Sequence, residues 1–258
     1  MTDNCVVFEV ISMDALAEPL ISSMYESFPR SRTNGGISYI NLSDEYIDWL
    51  VLANAGMLSR GNLLAFDYAL RNLPSANPMI EIGVFAGLST NVLSYYRRKL
   101  GVSVPFFNCD RWQFEGAGGN VGDSELSHEA YSAFVRDSYV RNVRTFSVED
   151  LPYTIELFSD EFFAAWGEGQ TRRDVFDRKA TLGGPISFCY IDGDHSYEFA
   201  RRDFVNTDRF LEVGGFVLFD DSADGTKFEV GGVIEEVKKM ENYRVILKNP
   251  NYLFQKIG

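Results

Sequence analysis

Two short acidic segments stand at the ends of two apolar runs in the second half of the chain. Residues 192–195 read Asp-Gly-Asp-His and follow Ile186–Ile191, and the acidic pair at 220–221 follows residues 215–219. The segments are about 28 residues apart, the span of one strand-helix-strand unit, so a parallel sheet would bring them to one crevice. Carboxylates this close are costly without a cation, which favours a hard metal ion bound through oxygen. The alternative is a set of solvated loop acids and helix caps.

A glycine-containing turn is the second feature that could do chemistry. Residues 80–90 read Ile-Glu-Ile-Gly-Val-Phe-Ala-Gly-Leu-Ser-Thr, with Gly83 and Gly87 four apart and Glu81 two residues before the first glycine. Glycines at a strand-to-helix turn let the backbone approach a ligand closely. The turn lacks the Gly-Lys-Ser/Thr of a Walker A loop and the GxGxxG spacing of dinucleotide binders. A plain turn that binds nothing is the alternative.

This turn resembles the cofactor loop of class I S-adenosylmethionine-dependent methyltransferases. In that family the turn backbone lies against the methionine portion of the cofactor, and the acid orients its amino group. The resemblance implies that Asp110, after the apolar run 104–109, accepts hydrogen bonds from the ribose hydroxyls, and that Arg111 and Trp112 flank the adenine. For Asp110, as for Ser159 near the adenine, a helix cap is the alternative. The predicted cofactor-binding residues are Glu81, Gly83, Phe85, Ala86, Gly87, Ser89, Asp110, Arg111, Ser159, Asp192 and His195.

The acidic segments are similar to those of the metal-dependent sugar and macrolide O-methyltransferases, and more distantly to those of the catechol and caffeoyl-coenzyme A types. The resemblance implies that Asp192, Asp220 and Asp221 hold Mg²⁺. It also implies a catalytic role for His195, which stands three residues after the first ligand. The catechol type carries at that spacing the basic residue that takes the acceptor's proton. A histidine that packs against the cofactor or caps a helix is the alternative.

The apolar runs alternate with segments of helical spacing, which predicts βαβ units and a parallel sheet. We expect an α/β fold of the Rossmann-like, doubly wound kind, with a seven-stranded, mostly parallel sheet and a C-terminal antiparallel hairpin around Asn249-Pro-Asn251. The strands are expected at residues 79–82, 104–109, 154–158, 186–191, 215–219, 243–247 and 252–257. Helices are expected at residues 88–100, 127–140, 160–166, 197–211 and 231–240.

The chain is predicted to have two parts. Residues 1–60 form a helical N-terminal extension, and residues 61–258 form the S-adenosylmethionine-binding methyltransferase domain. Apolar spacing predicts helices between residues 44 and 73. The extension and the glycine-rich loop after Trp112 are candidates for a lid that excludes water. Residues 29–36, 115–123 and 167–184 are rich in glycine and charge, which predicts surface loops.

The net charge of the chain indicates which class of molecule it binds. The 258 residues include 24 Lys and Arg against 37 Asp and Glu, a formal net charge of −13. This balance disfavours nucleic acid, because phosphate binding needs clustered Lys and Arg, and a small-molecule acceptor is expected instead. The three cysteines form no CxxC pair, and the sequence has neither a signal-like N-terminus nor a long apolar stretch, so we expect a cytoplasmic location and no membrane partner. Whether the chain forms a homo-oligomer stays open.

Together these features predict an S-adenosylmethionine-dependent O-methyltransferase, assisted by Mg²⁺, that acts on a hydroxyl of a small molecule such as a sugar, a natural product or a catechol. Three alternatives stay open: a metal-independent methyltransferase of the same fold, a nicotinamide-dependent oxidoreductase, and a non-catalytic or hydroxylase relative. The oxidoreductase is the weakest of them, because the GxGxxG turn that it needs is absent.

Overall fold

A computed structural model of the chain describes residues 30–32, 38–113 and 118–258. Residues 1–29, 33–37 and 114–117 lie outside the described residues, and with them most of the predicted N-terminal extension and part of the loop after Trp112. No helix in the described part of the chain is long and apolar enough to cross a membrane.

Seven strands form the central sheet, in the spatial order β10-β11-β9-β8-β3-β4-β5. The strands from β9 to β5 pair in parallel, and β11 pairs antiparallel with both β9 and β10. The predicted mostly parallel sheet with a C-terminal hairpin is therefore confirmed. The strand bounds are β3 Met79–Ile82, β4 Phe106–Cys109, β5 Tyr153–Ile155, β8 Ile186–Ile191, β9 Leu211–Phe219, β10 Tyr243–Lys248 and β11 Tyr252–Lys256.

Seven helices are described around this sheet. Two of them, α1 Glu45–Ala53 and α2 Asn62–Arg71, precede β3 and confirm the helices expected between residues 44 and 73. The others follow individual strands: α3 Leu88–Leu100, α4 His128–Phe146, α5 Ser159–Gly167, α6 Tyr197–Asp208 and α7 Val230–Val237. Helix α4 extends six residues beyond the predicted end at 140, because its buried side chains continue through Asn142 and Val143.

Apolar side chains cover both faces of the sheet, as a sheet buried between helices requires. In β8, Cys189 and Ile191 pack into the core beneath α5, α6 and α7, whereas Phe188 and Tyr190 pack into the core beneath α2 and α3. This alternation follows from the two-residue period of a strand. Each fully buried large side chain contributes roughly 1.5–3 kcal/mol of hydrophobic stabilisation, which fixes the register of the strands.

The strand ends are in register at one edge of the sheet. Ile82 at the end of β3 pairs with Cys109 of β4 and Ile191 of β8, and Ile191 pairs in turn with Phe219 of β9. The residues that follow these four strands therefore emerge at one level. This places the glycine turn and the acidic residues after β4, β8 and β9 side by side.

Two small hairpins lie outside the central sheet, and both correct a prediction. The segment 167–184 was expected to be a surface loop, but β6 Thr171–Arg173 and β7 Lys179–Thr181 pair antiparallel within it. Asp174 stabilises the turn between β6 and β7, because its carboxylate accepts hydrogen bonds from the backbone nitrogen and from the guanidinium of Arg178. The strands are mostly exposed and polar, so the sequence has no alternation of apolar residues from which to predict them.

The second small hairpin falls in the predicted N-terminal extension. Strand β1 Arg30–Arg32 pairs antiparallel with β2 Ser38–Ile40, so the described part of residues 1–60 contains two strands besides α1. The predicted loop at 29–36 is wrong over β1. Three-residue strands are too short to give a recognisable periodicity, which is why the sequence did not reveal them.

Candidate active site

A cavity of about 610 Å³ opens at the carboxyl ends of β3, β4, β5, β8 and β9. Ten of the predicted site residues line it, namely Gly83, Phe85, Ser89, Asp110, Arg111, Ser159, Asp192, His195, Asp220 and Asp221. The remaining three, Glu81, Ala86 and Gly87, are buried behind its wall. A cavity of this size, at the strand ends of an open α/β sheet, is a typical small-molecule site.

The turn after β3 requires glycine at its first position. Gly83 has a φ of +78°, and a Cβ atom added there would lie 2.0 Å from the backbone oxygen of Asp192. No side chain fits so close to another backbone, so β3 and β8 approach each other only because residue 83 is glycine. Phe85 also has a positive φ, +43°, which is uncommon for an aromatic residue.

Asp110 holds this turn in place. Its Oδ2 accepts hydrogen bonds from the backbone nitrogens of Val84 at 2.9 Å and Phe85 at 3.1 Å, and its Oδ1 accepts from the nitrogen of Trp112 at 2.6 Å. Burial raises the pKa of Asp110, and these backbone hydrogen bonds partly offset the rise. Asp110 thus shapes the glycine turn as well as lining the cavity, and its bonds to a ribose stay a prediction.

Glu81 is fully buried beside the turn. Its carboxylate accepts hydrogen bonds from Ser89 Oγ, from Thr90 Oγ1 at 2.6 Å and from Asn108 Nδ2 at 2.7 Å. Burial raises the pKa of Glu81 to about 7. Because three neighbours already occupy the carboxylate, its contribution to the cavity in this structure is to fix Ser89, which lines the cavity.

The far end of the cavity lies between β5 and α6. The guanidinium of Arg111 stands over the Phe158 ring, 5.7 Å from its centroid, and Ser159 Oγ donates a hydrogen bond to Asp203 Oδ1. Burial raises the pKa of Asp203 to about 7. Asp203 and its neighbour Arg202 line the cavity, yet both lie in an amphipathic helix whose sequence gave no sign of this role.

Three carboxylates meet in the wall formed by the ends of β8 and β9. Burial and the neighbouring charge of Asp220 raise the pKa of Asp192 well above its ordinary value, and Asp192 Oδ2 accepts a hydrogen bond from Tyr190 Oη at 3.2 Å. Burial and Asp220 also raise the pKa of Asp221, whereas His195 opposes the rise. The three acids therefore repel one another, as the sequence argument required.

His195 stands directly against this cluster. Its Nε2 is 3.3 Å from Asp221 Oδ2, and its ring lies 4.9 Å from the Phe228 ring, centroid to centroid. Asp221 has a positive φ of +49°, which aims its side chain differently from that of Asp220 although the two are adjacent in sequence. The pair can therefore place an imidazole that accepts a proton next to a carboxylate that stabilises its charged form.

Two asparagines complete the wall, and the sequence analysis did not single out either of them. Asn62 Nδ2 and Asn251 Nδ2 both donate to Asp220 Oδ1, at 2.6 and 2.5 Å. Asn62 begins α2 and Asn251 lies in the turn between β10 and β11. Their separation in sequence hides the contact, and only the packing of α2 over the sheet reveals it.

The three acids fit a divalent cation in their chemistry, because hard cations prefer carboxylate oxygens. A cation would offset both the burial and the charge of Asp220, which together raise the pKa of Asp192 and Asp221. Asp220 keeps Oδ2 free of the two asparagines. However, in the part of the chain that the structure describes, no three His, Cys, Asp or Glu side chains are grouped so that they could hold a metal ion as they stand.

The sheet order, the antiparallel hairpin at its edge, the glycine turn after β3 and the acid after β4 define a class I S-adenosylmethionine-dependent methyltransferase. The model of the methyltransferase domain family matches residues 80–222, more than half of the 258 residues, and the chain belongs to this family. This match spans the glycine turn and both acidic segments. A search of curated protein sequences gave no match.

Solved structures show the same fold at low sequence identity. TomG of Streptomyces achromogenes, an O-methyltransferase involved in tomaymycin synthesis and solved with S-adenosylmethionine, is 13% identical with a TM-score of 0.51 over 84% of this chain and 92% of its own. The methyltransferase PaMTH1 of Podospora anserina, bound to S-adenosylhomocysteine, is 10% identical with a TM-score of 0.52 over 98% and 100% of the two chains. The calicheamicin methyltransferase CalS11 is 15% identical with a TM-score of 0.50 over 85% and 95%.

Proposed function

We propose that this methyltransferase moves the methyl group of S-adenosylmethionine to a hydroxyl oxygen of a small molecule, assisted by Mg²⁺. The observation that carries the proposal is the position of His195 and three carboxylates in the same cavity as the glycine turn. A methyl donor bound at the turn and a hydroxyl bound at the acids would face each other within this cavity. TomG, described as an O-methyltransferase, supports an oxygen acceptor by analogy of fold.

The cofactor would span the ends of β3, β4 and β5. Its methionine portion would lie against the backbone at Gly83, which has no side chain to interfere, and its ribose against Asp110. Arg111 and Ser159 would stand at the adenine end. Most of the rate enhancement would come from this positioning, because transfer from a sulfonium needs no covalent intermediate with the protein.

His195 would take the proton of the acceptor hydroxyl. Nε2 lies 3.3 Å from Asp221 Oδ2, so in the tautomer that carries its hydrogen on Nε2 the other nitrogen, Nδ1, would accept that proton. The acceptor oxygen would then form its bond to the methyl carbon while the carbon–sulfur bond breaks, leaving neutral S-adenosylhomocysteine. Asp221 would stabilise the imidazolium until the proton returns to water.

Asp192, Asp220 and Asp221 would hold the cation. A bound divalent ion supplies Lewis acidity, which lowers the pKa of a coordinated hydroxyl. The same acids would repel an anionic acceptor, and the cavity lining also contains Phe228 and Met57. We therefore propose a neutral acceptor with an apolar portion and two adjacent hydroxyls.

A metal-independent methyltransferase is the second candidate, and one observation favours it. Asp221 already pairs with His195, whose Nε2 lies 3.3 Å from Asp221 Oδ2. In that case His195 and Asp221 alone would deprotonate the acceptor.

We also propose a cytoplasmic location, which the buried, unpaired Cys109 and Cys189 support because free thiols persist in a reducing compartment.

The test combines calorimetry with a transfer assay. S-adenosylhomocysteine is titrated into the protein with EDTA and with Mg²⁺, and labelled methyl transfer is measured on a panel of neutral catechols and vicinal diols. We expect binding in both conditions and transfer that falls at least tenfold in EDTA and returns with Mg²⁺. If the rate of methyl transfer is the same with and without EDTA, the metal-independent candidate is established. If the protein does not bind S-adenosylhomocysteine, the proposed cofactor site is overturned.

The chain offers a matched control for His195. We expect His195→Ala to slow transfer by about a hundredfold or more, the usual contribution of a general base, with little change in S-adenosylhomocysteine affinity. His128, at the start of α4 and outside the cavity lining, is the only other histidine. His128→Ala should leave the rate unchanged, and equal rates for the two variants would remove His195 from the mechanism.

A further inference from the structure

Asp220 is enclosed by amide groups rather than by cations. It is 4% exposed, and its Oδ1 accepts from Asn62 Nδ2 and from Asn251 Nδ2. The two asparagines also bond to each other, Asn251 Nδ2 donating to Asn62 Oδ1 at 2.9 Å. A buried carboxylate with two such donors on one oxygen is held in a single orientation.

The orientation of the Asn251 amide follows from its own partners. Its Oδ1 accepts from the backbone nitrogens of Ser222 at 3.0 Å and Ala223 at 3.1 Å. A backbone N–H can only donate, so the oxygen of the amide must face these two residues and the nitrogen must face Asp220. The turn after β9 therefore dictates which end of Asn251 meets the carboxylate.

Asn62 connects the acids of two strands. Its Nδ2 also donates to Tyr190 Oη at 3.1 Å, and that hydroxyl donates its own proton to Asp192 Oδ2 at 3.2 Å. The donors thus run in one direction, from Asn62 through the tyrosine to Asp192. Asn62 also begins α2, so the positive end of the helix dipole lies at the acidic wall.

We infer that Asn62 and Asn251 are positioning residues for Asp220: both amides bond to Oδ1, which fixes the carboxylate and leaves Oδ2, the oxygen that neither amide bonds, for a cation. This inference rests on the proposed metal-assisted function. It assigns a role to α2 and to the β10–β11 turn, neither of which contains a cation ligand. Removing either amide leaves the charge of the cluster unchanged but frees the carboxylate to rotate.

The test uses Mn²⁺ as the probe, because oxygen-ligand sites that suit Mg²⁺ also take Mn²⁺. Mn²⁺ is titrated calorimetrically into the wild type, Asn62→Leu and Asn251→Ala, each saturated with S-adenosylhomocysteine. We expect both variants to bind Mn²⁺ at least tenfold more weakly, since each loses a hydrogen bond to a charged group. Asn72→Ala removes an exposed asparagine at the opposite end of α2 and should bind as the wild type does.

The readouts separate positioning from damage to the fold. Affinity for S-adenosylhomocysteine should stay within threefold of the wild type in every variant, because the glycine turn and Asp110 make no hydrogen bond to either asparagine. If Asn62→Leu fails to fold, Asn62→Ser replaces it, since serine is compatible with a helix start and is too short to span the same distance.

Two failures have different signatures. If the wild type binds Mn²⁺ and both variants bind it equally well, the positioning role is overturned and the proposed function stands. If the wild type itself takes up no Mn²⁺, the metal-assisted part of the proposed function is overturned, and the positioning role with it. In that case S-adenosylhomocysteine binding still reports whether the cofactor site is sound.

Discussion

Replacement of Gly83 by alanine tests whether the close approach of β3 and β8 builds the site. The new Cβ would lie 2.0 Å from the oxygen of Asp192 and 2.6 Å from its carbonyl carbon. Both are backbone atoms, so the strand ends must separate for the methyl group to fit. The φ of +78° adds a conformational cost, because left-handed backbone is unfavourable for any residue with a Cβ.

Gly101 provides the matched control, since its φ of +67° is similar but no atom lies within 4 Å of an added Cβ. Gly101→Ala should lower the free energy of unfolding by about 1–2 kcal/mol, the cost of left-handed backbone alone. Gly83→Ala should add about 1–3 kcal/mol for overpacking, giving a total loss of roughly 2–5 kcal/mol.

Urea denaturation measures both losses, and calorimetry measures affinity for S-adenosylhomocysteine. We expect Gly83→Ala to weaken this affinity at least tenfold, because the displaced turn faces the cofactor, while Gly101→Ala leaves it unchanged. If the two variants lost equal stability and both bound S-adenosylhomocysteine normally, the contact between the turn and Asp192 would have no role in building the site.

Three further predictions concern Asp110, Gly61 and Glu81. Asp110→Asn replaces one acceptor oxygen by an NH2 donor, which must face either the backbone nitrogens of Val84 and Phe85 or that of Trp112. Calorimetry should therefore show at least tenfold weaker S-adenosylhomocysteine binding, and unaltered affinity would contradict the role of Asp110 in shaping the turn. Gly61→Ala would place a Cβ 1.9 Å from the backbone oxygen of Asn249, so its midpoint in urea should fall clearly, and an unchanged midpoint would show that this contact yields freely. Glu81 has its pKa raised from 4.5 to about 7, so its stabilising contribution is complete below pH 4.5 and is lost as the pH rises towards 7. Glu81→Gln should therefore reduce the decline in unfolding free energy over this interval by about 3 kcal/mol, and an identical pH profile for the variant would refute the raised pKa.

The central sheet was predictable because each strand is a short apolar run that ends at a polar residue or glycine. Met79–Ile82 and Ile186–Ile191 have the bounds that the sequence indicated. β9 begins four residues earlier than expected, at Leu211, because two glycines interrupt its apolar pattern before residue 216. The start of β9 is set by its pairing with β8, in which Leu211 lies opposite Ile186, and the apolar pattern of the sequence does not show this pairing.

The acidic wall of the cavity was predictable only in part. Strand ends in register place Asp192 and Asp220 together, and that follows from the topology of a parallel sheet. Asn62 and Asn251 are 189 residues apart, and an asparagine at a helix start or in a turn has an ordinary local explanation. No spacing rule connects such residues, so their contact with Asp220 became visible only once α2 was packed on the sheet.

The amide donors at Asp220 also explain how three acids coexist in one wall where, among the described residues, the charge of Lys227 acts on Asp221 but no lysine or arginine is hydrogen-bonded to any of the three. The amides bring no positive charge to the wall, so burial and the neighbouring Asp220 together raise the pKa of Asp192. A lysine in place of Asn62 would cancel the field of Asp220 and leave no reason for a cation or a protonated histidine to bind there. The choice of amides therefore keeps the wall negative, and a negative wall is what a metal-bound or histidine-activated hydroxyl requires.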